Sequence, residues 1–196
     1  TQSYNLIFLA SCEEEVSGKN GIESVLPQLP PIALGVVGEP TEMQPAIAEK
    51  GLMVLDVTAR GKSGHAARNE GENAIYKLLP DIEWFRTYKF PKESPILGPV
   101  KMSVTQINAG TQHNVIPDLC SIVVDIRSNE CYSNEELFAE ICQHIQSEAK
   151  ARSFRLNSSS IPSDHPFVKR AIELGKVPFG SPTLSDMAIM PFPAIK

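Results

Sequence analysis

Three consecutive carboxylates, Glu13-Glu14-Glu15, follow an apolar stretch, Leu6-Ile7-Phe8-Leu9-Ala10. Another carboxylate, in Gly38-Glu39-Pro40-Thr41, follows a second apolar stretch, Leu34-Gly35-Val36-Val37. Each acidic group stands where a buried strand would end, and in open α/β sheets that is where ligands bind. Neighbouring carboxylates repel one another unless a cation or a shared proton relieves the charge. A metal site with an acid/base glutamate beside it accounts for both groups economically. Taken singly, each has a plainer reading. The triplet could be a solvated loop or the first turn of a helix, where the dipole favours acids. Gly-x-Pro could be an ordinary turn. Their order, each behind its own apolar strand, favours the metal reading.

The elements that would position these groups can be read from periodicity. Residues 4–10 and 34–37 read as buried strands. A helix over 17–27, closed by Pro27, and a proline-rich connection to Pro31 lie between them. Residues 44–49 read as extended. Residues 52–60 alternate, with Leu52, Val54, Asp56 and Thr58 opposed to Met53, Leu55, Val57 and Ala59, as in a sheet with one wet face. Ala74, Ile75, Leu78, Leu79, Ile82 and Phe85 predict a helix over 72–88, with Pro80 as a kink point. Strands are expected at 99–108 and 118–127. Ser133 is a good N-cap for a helix running to about Ala149, followed by a short strand near 153–160. The order strand, helix, strand, strand, helix, strand over 52–160 is the ferredoxin-like split βαβ arrangement. It interrupts an outer α/β region, 1–51 and 161–196, in which His165 to Gly175 reads as a helix.

Composition sets broad limits. The chain has 196 residues, 42% hydrophobic and 21% charged, which is ordinary for a globular protein. No apolar run approaches the ~20 residues of a membrane span. The formal charge of -5, with no Lys/Arg cluster, argues against a nucleic-acid surface. Cys12, Cys120, Cys131 and Cys142 include no Cys-x-x-Cys pair, so neither zinc-finger nor thioredoxin chemistry is suggested. Buried free thiols at Cys120 and Cys142 and a cytoplasmic location are expected.

At this point Ser11-Cys12-Glu13-Glu14-Glu15-Val16-Ser17-Gly18-Lys19-Asn20-Gly21 resembles the Asp-Glu-Glu-x-x-Gly-x-x-Gly segment of a metal-dependent family. That family comprises acetylornithine deacetylases, succinyl-diaminopimelate desuccinylases, aminoacylases and carboxypeptidases. Four further segments agree in order: Gly38-Glu39-Pro40-Thr41, Gly61-Lys62-Ser63-Gly64-His65-Ala66, Asn114-Val115-Ile116-Pro117-Asp118 and Asp125-Ile126-Arg127. Thr183-Leu184-Ser185-Asp186 is similar to a late Thr/Ser-Asp segment. The resemblance implies a phosphorylase/hydrolase-like catalytic α/β domain, here partial, with the 52–160 domain inserted as a dimerisation module. It implies Glu15 and Glu39 as ligands of two zinc ions (cobalt or manganese being alternatives) and Glu14 as general base, with Glu13 a bystander. His65 would reach a partner subunit's active site. Asn114 and Arg127 would hold the substrate's carboxylate or polarised carbonyl oxygen. The implied reaction is hydrolysis of an N-acyl amino acid, with N-acetylornithine or a related arginine precursor as the leading substrate and a homodimer as the working form. A peptidase of the same family and a non-catalytic dimerisation module are the rival readings.

Each of the three residues from the inserted domain also has a plainer role: a solvated loop histidine at His65, a turn at Asn114, an exposed ion pair at Arg127. His113 and His144 read as surface residues rather than ligands. The family's upstream His-x-Asp segment and its late histidine ligand do not occur in this sequence. The expectation is therefore a fragment that binds metal poorly and is inactive alone, since two carboxylates without imidazole make a weak zinc site.

Overall fold

The computed structural model describes residues 4–16 and 18–196. In chain order the strands are β1 (Gly35–Val36), β2 (Ala46–Glu49), β3 (Met53–Arg60), β4 (Gly64–His65), β5 (Lys101–Ala109), β6 (Val115–Ile116), β7 (Leu119–Arg127), β8 (Glu148–Ala151), β9 (Ser159–Ser160), β10 (Phe179–Ser181) and β11 (Ala194–Ile195). The α-helices are α1 (Ile22–Val25), α2 (Ala74–Thr87), α3 (Asn134–His144) and α4 (Pro166–Glu173).

The larger sheet has the order β5-β7-β3-β8, every neighbour antiparallel. With α2 after β3 and α3 after β7, this is the ferredoxin-like topology expected from the sequence. Alternation decides which face is covered: Met53, Leu55 and Val57 of β3 and Ile122, Val124 and Ile126 of β7 are buried beneath the helices. Each such side chain contributes about 1.5–3 kcal/mol when withdrawn from water. Pro80 lies inside α2 without ending it; it and Tyr76 are on the exposed face, where water can serve the carbonyl that loses its partner.

A second, smaller core gathers Ile47, Ile161, Val168 and Ile195, with Leu34 against it. Around it β2 pairs in parallel with β10 and antiparallel with β9, and β1 pairs in parallel with β11. Among the described residues, no helix is long and apolar enough to cross a membrane.

The structure corrects several expectations. Residues 4–10 form no strand: Leu6 is 82% and Phe8 90% exposed, and no described strand pairs with them. A lone strand has no sheet to bury against. The helix expected over 17–27 is only Ile22–Val25 followed by a 3-10 turn at Leu26–Gln28; Ser17 lies outside the described residues. The helix opened by Ser133 has the full reciprocal capping box with Glu136, but it stops at His144, not Ala149. Buried Asp81 ends it, accepting hydrogen bonds from the Gln146 and Ser147 amides at 3.0 and 2.9 Å. The next strand accordingly starts at Glu148, and the segment expected near 153–160 keeps only β9. Cys120 is buried but Cys142 is exposed.

Asp81→Ala should strip two amides of their buried charged acceptor and destabilise the chain by about 1–3 kcal/mol. Urea titration by circular dichroism measures this, and an unchanged midpoint would contradict the assignment.

Candidate active site

The glutamate triplet divides into one side chain tied by hydrogen bonds and two that make none among the described residues. Glu13 has φ of 61°, a conformation that costs an L-residue roughly 1–2 kcal/mol. Its surroundings hold it there. The Glu13 carbonyl accepts from the Gly18 amide at 2.9 Å, and its carboxylate accepts from the Asn20 amide and Nδ2 at 3.0 and 3.2 Å. The two glycines of the motif are sterically required. A Cβ on Gly18 would lie 2.0 Å from Glu13 Oε2, and one on Gly21 would lie 2.1 Å from the Cys12 carbonyl oxygen. Glu14 and Glu15 then emerge on a 3-10 turn, Glu14–Val16.

Other elements converge on this turn. Ser11 Oγ donates to Asp186 Oδ2 at 2.9 Å. Ser185 caps the short 3-10 turn that Asp186 opens, its Oγ accepting from the Met187 amide. Glu14 and Asp186 line one shallow pocket with Arg155 and Ser185. Glu39 follows β1, whose extension bonds to β11 through the Val37 amide and Ile195 carbonyl at 2.8 Å. The Glu14 carboxyl is raised above its ordinary value, first by burial and then by the charges of Glu39, Glu15 and Asp186, with Lys196 opposing. The charges of Glu39, Glu15 and Asp186 thus act on Glu14.

Lys196 belongs to a buried network. Its Nζ lies 3.0 Å from Glu49 Oε2 and donates to the Thr183 carbonyl at 3.0 Å. Ser185 Oγ donates to the same Glu49 oxygen at 2.7 Å. Sequence reasoning missed Glu49 and Lys196 and gave Asp186 no role. The Thr183–Asp186 segment was the available signal for Asp186; nothing in the pattern distinguished Glu49 from an ordinary strand-end carboxylate.

The inserted region presents its candidates elsewhere. β4 and β6 form a two-stranded ribbon pairing His65 with Val115, and the Ala66 amide donates to the Asn114 carbonyl. His65 and Asn114 are therefore neighbours. His65 is exposed, and its Nδ1 accepts from the Ala67 amide at 3.1 Å, which leaves the neutral ring's proton on Nε2. Arg127 ends β7 with its Nε and Nη2 donating to both oxygens of Asp125 at 2.8 and 3.1 Å. That pairing orients the guanidinium. None of the three shares a hydrogen bond with the acidic cluster among the described residues. His144, expected at the surface, is exposed and stacks against Trp84.

The acidic cluster supplies oxygen donors of the kind hard divalent cations accept. Among the described residues, no three His, Cys, Asp or Glu side chains converge closely enough to cage an ion. The described residues therefore contain carboxylates of the right type near Glu14 but no complete metal site.

The raised Glu14 carboxyl has a stability consequence. The folded chain keeps this proton to higher pH than the unfolded chain does. The contribution is fully present below the ordinary glutamate range and is lost as pH rises through the folded value. Glu14→Gln should therefore raise the Tm of the metal-free chain near neutral pH, and the gain should vanish in acid. Calorimetry at the two pH values tests this; an equal effect at both would contradict the electrostatic account.

Residues 47–153, more than half of the chain, match the peptidase dimerisation domain of the M20 family. The succinyl-diaminopimelate desuccinylase of Cereibacter sphaeroides is 29% identical over 150 residues, covering 72% of this chain and 39% of that protein. The acetylornithine deacetylase of Myxococcus xanthus is 30% identical over 131 residues, covering 62% of this chain and 34% of that protein. The chain therefore spans well under half the length of these two relatives. Among solved structures, the aminopeptidase PepT of Bacillus cereus superposes with a TM-score of 0.72 at 17% identity, covering 94% of this chain and 53% of that one. The M20 family metallo-carboxypeptidase Sso-CP2 of Sulfolobus solfataricus gives 0.63 at 15% identity, covering 89% and 65%. Residues 47–153 carry the family's dimerisation domain, and the chain belongs to the M20 peptidase family of hydrolases.

Proposed function

We propose that the full-length polypeptide containing this chain is a metal-dependent amidohydrolase that cleaves the amide bond of an N-acyl amino acid. The observation that carries this reading is the crowding of Glu14 by Glu15, Glu39 and Asp186. In this assignment Glu15 and Glu39 help hold divalent ions, zinc by expectation, with the remaining ligands from outside this chain. Bound there, the metal would supply Lewis acidity toward the scissile carbonyl. Glu14 acts as general base and later passes the proton to the leaving amine; a raised pKa suits that exchange near neutral pH. Arg127, braced by Asp125, binds a substrate carboxylate. His65 and Asn114 donate toward the carbonyl oxygen of a partner subunit's substrate. The substrate is N-acetylornithine or another N-acylated diamino acid; one relative is named as a deacetylase and another as a desuccinylase. The two hydrophobic cores support the division into an outer catalytic part, 1–51 and 161–196, and an inserted domain, 52–160. The free cysteines suit a reducing cytoplasm.

The inserted domain is proposed to pair with a second copy along β5. Among the described residues that strand bonds only to β7, which leaves its other edge open. Ile107 on β5 and Tyr76 and Leu79 on α2, which packs over it, are exposed apolar residues.

Two experiments test these assignments. In the full-length protein, Glu14→Ala should abolish turnover of N-acyl amino acids while metal content stays near normal; parallel loss of metal would move Glu14 into the ligand set. Replacing Ile107 and Leu79 by lysine should convert a dimer into a folded monomer in sedimentation, and an unaltered dimer would place the interface elsewhere.

A further inference from the structure

Glu49 is a wholly buried carboxylate to which the sequence assigns no task. It closes β2, which has a strand bonded on either side. Its Oε2 lies 3.0 Å from Lys196 Nζ and accepts from Ser185 Oγ at 2.7 Å. Charge alone does not account for it. A buried ion pair is often no more stabilising than apolar residues of the same volume. The bond to Ser185 is the part of the arrangement that an apolar pair could not supply.

That bond dictates how the Ser185 hydroxyl can serve its neighbours. A serine hydroxyl has one proton and two lone pairs. With the proton directed at Glu49, Oγ presents lone pairs to the Met187 amide, from which it accepts at 3.3 Å. This amide belongs to the opening of the 3-10 turn Asp186–Ile189, where backbone donors lack partners within the turn. Asp186 is the turn's first residue, and its Oδ2 accepts from Ser11 Oγ, two residues before the glutamate triplet. Ser185 and Asp186 line the same shallow pocket as Glu14, and the Asp186 charge acts on Glu14. On the preceding side, Lys196 Nζ donates to the Thr183 carbonyl at 3.0 Å. The segment Thr183–Asp186 is thus held by the two buried charges and delivered to the acidic cluster.

We propose that Glu49 is a positioning residue for the candidate active site: by accepting the Ser185 hydroxyl it fixes the turn that presents Asp186 beside Glu14. This rests on the amidohydrolase reading for its consequence, that turnover depends on Glu49 although Glu49 is bonded to neither Glu14, Glu15 nor Glu39.

Two double variants separate this role from plain support of the core. Glu49→Gln with Lys196→Met removes both buried charges and keeps an acceptor for Ser185. Glu49→Leu with Lys196→Met removes the same charges and the acceptor as well. In the 196-residue chain the Met187 amide should exchange its hydrogen about tenfold faster in the second pair than in the first, the scale of one hydrogen bond. The carboxyl-carbon resonance of Asp186 should differ between the two pairs. Ser185→Ala leaves the ion pair in place and should reproduce the second pair's exchange, which keeps the test decisive if that pair does not fold. In the full-length protein, kcat for N-acyl amino acids should be about tenfold lower in the second pair and in Ser185→Ala than in the first pair, at equal KM and metal content. Equal exchange and equal Asp186 resonances in the two pairs overturn the proposal, and so does equal kcat. If the native full-length protein hydrolyses no N-acyl amino acid, the amidohydrolase reading fails, and the exchange contrast alone decides whether Glu49 positions Asp186.

Discussion

The buried contact between Lys196 and Glu49 organises the smaller core. Both side chains are almost wholly withdrawn from water, 3% and 0% exposed. Burying an ion pair is costly, and breaking one partner out of such a pair costs about 3–5 kcal/mol because the other charge is left alone. The pair draws β2, the residue after β11 and the Thr183–Ser185 segment together. Its geometry is tight on one side only: Glu49 Oε2 takes both Lys196 and Ser185, while Oε1 has no hydrogen-bond partner among the described residues. The arrangement gives up some hydrogen bonding to fix three separate segments at one point.

That point governs the electrostatics of the candidate site. Ser185 precedes Asp186, and Lys196 partly offsets the crowding of Glu14. Acidic side chains that repel one another do not stay close unless the backbone leaves them no alternative. Here the left-handed turn at Glu13, the bond from Ser11 to Asp186 and the β1–β11 pairing supply the confinement. The acidic cluster is thus held by segments distant in sequence, through bonds that none of Glu14, Glu15 and Glu39 makes among the described residues.

The legible parts of the fold were those with a strong period. Met53 to Ala59 alternates so regularly that two opposed faces could be told apart, and the N-cap at Ser133 announced its helix. The ferredoxin-like order followed from those elements. Periodicity failed where long-range partners decide. Leu6 to Ala10 is as apolar as any strand in the chain, yet a strand exists only when a neighbour bonds to it. The end of α3 was hidden because Asp81, on another helix, supplies the acceptor that stops it. In the candidate site, Glu14, Glu15 and Glu39 stood out as a pattern of types. Glu49 and Lys196 did not, since their burial arises from the meeting of segments about 150 residues apart. Asp125, which aims Arg127, was quoted in its motif without being given that task.

The joint between the two cores is built from two strands of chain lying side by side. Lys50 to Leu52 crosses in one direction and Leu156 to Ser158 in the other, and the Leu52 amide donates to the Leu156 carbonyl at 2.8 Å. Asn134 Nδ2 reaches the carbonyls of both Leu52 and Leu156, at 3.3 and 2.9 Å. The two crossings are thus stitched to each other and to the first residue of α3, so the two cores meet along a bonded seam and not across a bare linker.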